Sequence, residues 1–420
     1  MIKRHITTLV KQSLKDFPAI LLNGARQTGK STLAKQLVQD GILDTYVTLD
    51  DLATLEAARE DPDGFLLQFQ GSTAIDEVQR VPDLLRALKK QIDAKREPGR
   101  FLLTGSANVL SYPGIRESLA GRMDIFPLEG LSLGELFQQK SHSSFIDDIF
   151  SDKSKSIPLL ADHFRKKCQK HPLLNREILK DFVFYGGFPE VVLKQQSAFR
   201  SRWFAAYQTA YIERDIRDLS RVMDVALFAK LFRLAGLRTG NLLNIKNLAM
   251  DAGIDQRTAS RYLEMLSLTF QMHELMPWHA NSSKRLVKTP KIYLNDSGFA
   301  SFLAGIDSPA HLTGHTMLGA IAETWVWAEL RKLLIYTPNI QTGFYRSHLG
   351  KEVDFVLCKG QQCRGIEFKR AESVTTKDLA GLLDLQEALG KNTQGILLYT
   401  GDQVVVFPHN IIALPLKCLL

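Results

Sequence analysis

The sequence predicts an α/β protein of several domains, and three observations carry that prediction. A short apolar strand over 18–23 runs through a glycine loop, 24–31, into a segment with helical apolar spacing. Two helical segments, 242–252 and 255–266, meet at Gly253 with helix-turn-helix spacing. Near the C-terminus, otherwise apolar strands are interrupted by Asp354 and Glu367. The chain is 420 residues long, too long for one ordinary domain. Four regions follow: a nucleotide-binding domain over 1–140, a helical linker or lid over 141–235, a winged helix over 236–300, and a second α/β domain over 301–420.

Hydrophobic residues make up 45% and charged residues 23%, values of a soluble globular protein that exclude wholesale disorder. No apolar run approaches the roughly 20 residues of a bilayer span, and the N-terminus lacks a signal-peptide core. No membrane partner is expected. Cys168, Cys358, Cys363 and Cys418 form no paired framework and no close CxxC, which predicts a reduced, cytoplasmic protein without structural zinc. The net charge of +8 is unevenly placed. Residues 1–140 and 301–420 are each balanced, whereas 141–235 carry 16 basic against 11 acidic side chains and 236–300 carry 8 against 5. A polyanion, if one is held, is expected at the middle of the chain.

Gly24-Ala25-Arg26-Gln27-Thr28-Gly29-Lys30-Ser31 fits GxxxxGK[ST] at every fixed position. Glycines let such a loop curl round phosphates and turn its N–H groups toward them, at the positive end of the next helix. Residues Gly24 to Ser31, with Thr32, are the expected ATP-binding set; Lys30 would reach the β- and γ-phosphates and the Ser31 hydroxyl would ligate Mg²⁺. About 45 residues on, Thr73-Ala74-Ile75-Asp76-Glu77 ends a short strand in two carboxylates. Such a pair suits Asp76 to hold Mg²⁺ through water and Glu77 to orient the attacking water, although an isolated Asp-Glu is also a common solvated turn. A third strand, 100–104, leads into Gly105-Ser106-Ala107-Asn108, so Thr104, Ser106 and Asn108 compete to sense the γ-phosphate, with Ser106 counted among the nucleotide contacts. Arg122, with Arg116 behind it, is either an arginine finger for a neighbouring subunit or an ordinary surface arginine.

The motifs GARQTGKS, AIDEVQ, LLTGSAN and LAGR, in this order, resemble those of an AAA-type ATPase group found in bacteria and archaea. Two later segments, Tyr185-Gly186-Gly187-Phe188-Pro189-Glu190 and Tyr211-Ile212-Glu213-Arg214-Asp215-Ile216, extend the likeness over nearly the whole chain. The resemblance implies ATP hydrolysis and a C-terminal domain of unknown function related to PD-(D/E)xK nucleases.

Residues 141–170 are polar and Ser/Lys-rich and read as a boundary loop; 172–235 are helical in pattern. Arg214 or Arg217 would sense the γ-phosphate from such a lid, or would simply pair with Glu213 or Asp218. In the helix-turn-helix, Asp255 is the expected N-cap and Gln256, Arg257, Ser260 and Arg261 the exposed recognition face. A hairpin over 271–294 follows, with Lys284, Arg285, Lys288 and Lys291 as a basic wing available to phosphate.

In the last hundred residues an amphipathic helix over 319–330 precedes paired strands around Gly350-Lys351 and a strand Gly365-Ile366-Glu367-Phe368-Lys369. Period-two alternation sets Glu367 and Lys369 on one side of that strand. Asp354 and Glu367 would hold Mg²⁺, Glu323 would complete its shell, and Lys369 would position or deprotonate water. This spacing resembles the PD-(D/E)xK nuclease core. Two functions are therefore expected in competition. One is an ATPase acting on nucleic acid, DNA in preference to RNA, with homo-oligomerisation open. The other is an ATP-driven switch that binds a protein partner while the nuclease-like domain is inactive.

Overall fold

The computed structural model describes residues 2–108, 119, 121–170, 176–211, 224–278, 289–390 and 392–420. Its described residues form two compact units. The first draws on Met1–Leu131, Ala210–Arg221 and Glu264–Gln271, the second on Ser132–Thr209, Val222–Leu263 and Met272–Leu420.

The first unit is built on five parallel strands in the order β2-β3-β4-β1-β5. These are β1 (Ala19–Asn23), β2 (Thr45–Thr48), β3 (Thr73–Asp76), β4 (Phe101–Gly105) and β5 (Met123–Pro127). β1, β3 and β4 are buried at every residue, as expected of central parallel strands covered on both faces. Helices Lys30–Gln39, Leu52–Glu60, Pro62–Leu67 and Leu84–Ala94 supply the cover. One core cluster joins Leu21, Ile75, Leu88, Phe101 and Leu103. This is the parallel α/β sheet expected of a P-loop ATPase.

The second unit begins with helices, and here one expectation fails. The polar stretch read as a loop contains helices Phe145–Phe150 and Ile157–Gln169. Leu160, Ala161, Phe164 and Cys168 recur at helical spacing and are all buried, so a narrow apolar stripe outweighs the surrounding Ser and Lys. Helices Arg176–Tyr185, Pro189–Lys194, Ser197–Ala210 and Val225–Gly236 follow. Within them the Tyr185–Glu190 motif has a packing explanation. Asp296 accepts hydrogen bonds from the Gly187 N–H at 2.6 Å and the Phe299 N–H at 2.8 Å, and Gly186, at φ 74°, lies where a Cβ would come within 2.2 Å of the Asp296 carboxylate. Glycine alone fits there. The described parts of the Tyr211–Ile216 motif are limited to Tyr211; Glu213, Arg214, Arg217 and Asp218 lie outside the described residues, as do Arg116, Lys284, Arg285 and Lys288.

Helices Ile245–Ala252 and Gln256–Leu268 are joined at Gly253, φ 77°, with Asp255 capping the second through the Thr258 N–H at 3.0 Å. A three-stranded sheet in the order β6-β8-β7 accompanies them, from β6 (Asn241–Leu242), β7 (Met272–Leu275) and β8 (Lys291–Leu294). Helices Ser297–Leu303, Pro309–Gly314 and Leu318–Leu334 follow, the last carrying Glu323, and then a six-stranded mixed sheet, β13-β14-β12-β11-β10-β9. Its strands are β9 (Gln341–Arg346), β10 (Glu352–Lys359), β11 (Gln362–Lys369), β12 (Thr393–Tyr399), β13 (Val405–Phe407) and β14 (Ile411–Pro415). Helix Ala380–Leu389 packs on it through Leu382 and Leu385. A second expectation fails in this sheet: antiparallel register sets Cys358 directly opposite Cys363, and the two are disulfide-bonded. No helix among the described residues is long and apolar enough to cross a membrane.

Candidate functional site

The glycine loop leaves β1 and enters helix Lys30–Gln39, whose N-cap Gly29 adopts φ 99°. Gly24, at φ 143°, runs so close to the next strand connection that a Cβ would lie 2.4 Å from the Leu128 carbonyl oxygen. The loop is tied at several points. Thr28 Oγ1 donates to the Ala25 carbonyl at 3.0 Å, and Lys30 Nζ donates to the Gly24 and Ala25 carbonyls at 3.0 and 2.7 Å. Arg4, absent from the sequence-derived set, donates from Nη1 to the Thr28 carbonyl at 2.6 Å and from Nη2 to the Glu129 carbonyl at 2.8 Å.

Parallel pairing carries the two other motifs to the same sheet edge. β4 lies between β1 and β3, so Thr104 stands beside the strand that ends in Asp76. Thr104 Oγ1 donates to Asp76 Oδ1 and accepts the Glu77 N–H at 3.1 Å. Ser31 Oγ donates to the same Asp76 oxygen at 3.1 Å, and the Tyr46 hydroxyl donates to Asp76 Oδ2 at 2.7 Å. Burial and the Asp76 carboxylate together push the Tyr46 hydroxyl pKa well up, so Tyr46 remains a donor at neutral pH. Glu77 sits in the left-handed region at φ 63°; its carboxylate accepts from Gln79 Nε2 and from Ser106 Oγ, the latter at 3.3 Å, and Gln79 also donates to Ser106 at 2.9 Å.

Lys30, Ser31, Asp76, Glu77, Thr104 and Ser106 are thus gathered by β1, β3 and β4. Asn108 differs: its N–H donates to the Leu268 carbonyl at 2.8 Å. Arg122 makes a two-point ion pair with Asp93 through Nε and Nη2, the second bond at 3.0 Å, and that pairing raises its pKa. Tyr46 and Gln79 were not among the expected site residues, and only Gln79 had a signal in the sequence. Gln79 follows Glu77 by two residues, and Thr48 pairs with Asp76 in register, which brings the strand of Tyr46 alongside.

A second set of ionisable groups lies in the C-terminal sheet. Asp354 on β10 accepts the Phe368 N–H at 2.9 Å through Oδ2, and Lys369 Nζ donates to Glu367 Oε1 at 2.7 Å. Lys291, expected on a solvent-facing wing, is instead buried on β8 with its ammonium among carboxylates. Its Nζ is 3.1 Å from Glu323 Oε1 and 3.4 Å from Asp354 Oδ1, and it also contacts Glu352 Oε1. The Tyr293 hydroxyl donates to Glu323 Oε1 at 2.5 Å. Burial by itself would lower the Lys291 pKa, yet Glu323, Asp354 and Glu352 raise it, so the lysine is charged. Burial and then the Asp354 charge raise Glu323 and Glu367. Glu367 Oε2 is buried with no hydrogen-bond partner among the described residues.

The Mg²⁺ set expected from Glu323, Asp354 and Glu367 therefore fits poorly. Two of its three members already share an ammonium. Among the described residues no group of three or more His, Cys, Asp or Glu is arranged to hold a metal ion.

Residues 16–137 match the AAA domain family, residues 318–419 a domain of unknown function (DUF4143), and residues 176–310 a second domain of unknown function (DUF8612). The chain thus carries an N-terminal AAA domain of the P-loop ATPase family and a C-terminal DUF4143 domain. It is 28% identical over 416 residues to an uncharacterized protein of Mycobacterium tuberculosis, covering 98% of this chain and 83% of the relative, and the same figures hold for one of Mycobacterium bovis. Similar solved structures include a RuvB variant of Thermotoga maritima, at 16% identity over 64% of this chain and 85% of that one, TM-score 0.26. Another is a DNA clamp loader delta protein of Bacillus subtilis, at 12% identity over 78% and 99%, TM-score 0.24. Likeness at that level says nothing of what this chain binds.

Proposed function

We propose that the protein is a Mg²⁺-dependent ATPase whose nucleotide state is coupled to nucleic-acid binding by its helix-turn-helix. The carrying observation is the convergence of Ser31, Asp76, Glu77 and Thr104 behind the glycine loop. Lys30 and the loop N–H groups bind the phosphates; Ser31 and Asp76 would hold Mg²⁺, which would supply positive charge beside the transferred phosphoryl group. Thr104 bridges the Asp76 carboxylate and the Glu77 backbone, so it positions both. Glu77 takes the proton of the attacking water, and Ser106 with Gln79 orients it. A trans role for Arg122 requires release from Asp93, so an Arg122→Ala enzyme that loses turnover only where subunits share sites identifies the finger.

The polyanion assignment rests on the recognition face. Gln256, Arg257, Ser260 and Arg261 are exposed on helix Gln256–Leu268, while Ala259, Tyr262, Leu263 and Leu266 turn inward. ATPase rates with and without duplex DNA, single-stranded DNA and RNA test this coupling. A steep fall of log affinity with log salt supports it, and absence of binding at low salt refutes it. A second reading, a nucleotide-driven switch for a protein partner with a non-cleaving C-terminal domain, is favoured by the ammonium among Glu323, Glu352 and Asp354.

A further inference from the structure

The acidic cluster of the C-terminal sheet resembles a nuclease metal site in sequence, but one nitrogen already occupies its centre. A lysine ammonium has three N–H donors and no acceptor. Lys291 meets three carboxylates, Glu323, Glu352 and Asp354, one for each donor. It is buried, and Phe344 closes it from another side, the ring centroid 5.7 Å from Nζ. Both Asp354 oxygens are used, one by Lys291 and one by the Phe368 N–H. A divalent ion needs oxygen ligands at about 2.0–2.6 Å, a shell that cannot form while an ammonium stands among the same oxygens.

We infer that Lys291 is the resident cation of this cluster and excludes a divalent metal ion from it. The cluster is therefore a structural centre built round an ammonium and does not support metal-assisted phosphodiester hydrolysis. The inference is independent of ATPase activity in the first unit. Glu367 Oε2 is buried and without a hydrogen bond among the described residues, so Glu367→Gln belongs among the test variants.

The test uses the full chain without nucleotide, carrying Asp76→Asn so that the P-loop site contributes no metal binding. Mn²⁺ binding is followed by electron paramagnetic resonance. With Lys291 present, no saturable site is expected up to about 1 mM Mn²⁺, and Lys291→Met creates one that is at least about tenfold tighter. Adding Asp354→Asn abolishes the new site. A saturable site with Lys291 intact that Asp354→Asn or Glu367→Gln removes overturns the inference, as does a folded Lys291→Met protein that binds no Mn²⁺. Where Lys291→Met does not fold, Lys291→Gln removes the charge while keeping two N–H donors on a shorter side chain. Where neither variant folds, the Nζ resonance of the parent protein labelled with ¹⁵N-lysine decides. A buried ammonium signal unchanged by Mg²⁺ supports the inference, and its shift or loss overturns it.

Discussion

Both halves of the chain bring carboxylates together on a sheet, and the two centres differ in what holds them. Asp76 is held by hydroxyls, from Ser31, Tyr46 and Thr104. Asp354 is held by the Lys291 ammonium and a backbone N–H. Hydroxyls stabilise a carboxylate without cancelling its charge, and Ser31 can turn its oxygen to a metal as ligand. An ammonium cancels the charge and offers no lone pair. Carboxylates set on a sheet are thus held by hydroxyls in one unit and by an ammonium in the other.

The largest expected effects break the first centre. Lys30→Ala lowers ATP turnover on the order of 10²–10³-fold, and Glu77→Gln by about 10²–10⁴-fold with ATP still bound; steady-state rates and nucleotide-binding titrations check both. Unchanged turnover in either variant removes the site. Lys291→Ala breaks the second centre, since it removes the ammonium shared by buried Asp354 and part-buried Glu323 and Glu352. Its destabilisation is expected at about 3–5 kcal/mol by denaturant unfolding in chelator, partly reversed by Mn²⁺. Equal stability with and without Lys291 would show that the ammonium does not hold the cluster together. Tyr46→Phe sharpens the comparison: it removes one of three hydroxyl donors to Asp76, and turnover should fall about tenfold or less. A complete loss would place Tyr46 in the chemistry itself. The smallest effect lies outside both centres. Arg257→Glu and Arg261→Glu should leave basal ATP turnover unchanged while reducing the salt slope of DNA binding by about one unit for each phosphate no longer neutralised.

The first centre was largely legible because its chemistry is local. Gly24 through Ser31 form one continuous loop and helix start, and the spacing of Asp76, Glu77 and Thr104 reflects two strands of one parallel sheet. Tyr46 was hidden because only strand register brings it to Asp76. Composition misled at 141–170, where a stripe of Leu160, Phe164 and Cys168 decides the helix that Ser and Lys obscure. Cysteine counting failed for a similar reason, because Cys358 and Cys363 face each other only through hairpin register.

Sequence alone determined the P-loop, the order of elements around it and the helix-turn-helix, because each depends on short-range periodicity, turn chemistry and capping. Tertiary structure decided the character of the C-terminal cluster. Lys291 lies 32 residues from Glu323 and 63 from Asp354 in the chain, and no local pattern couples them. From sequence it was one more cation on a basic hairpin. Burial of β8 against those carboxylates turns it into their counter-ion, because charges removed from water must be balanced by whatever the fold brings within reach.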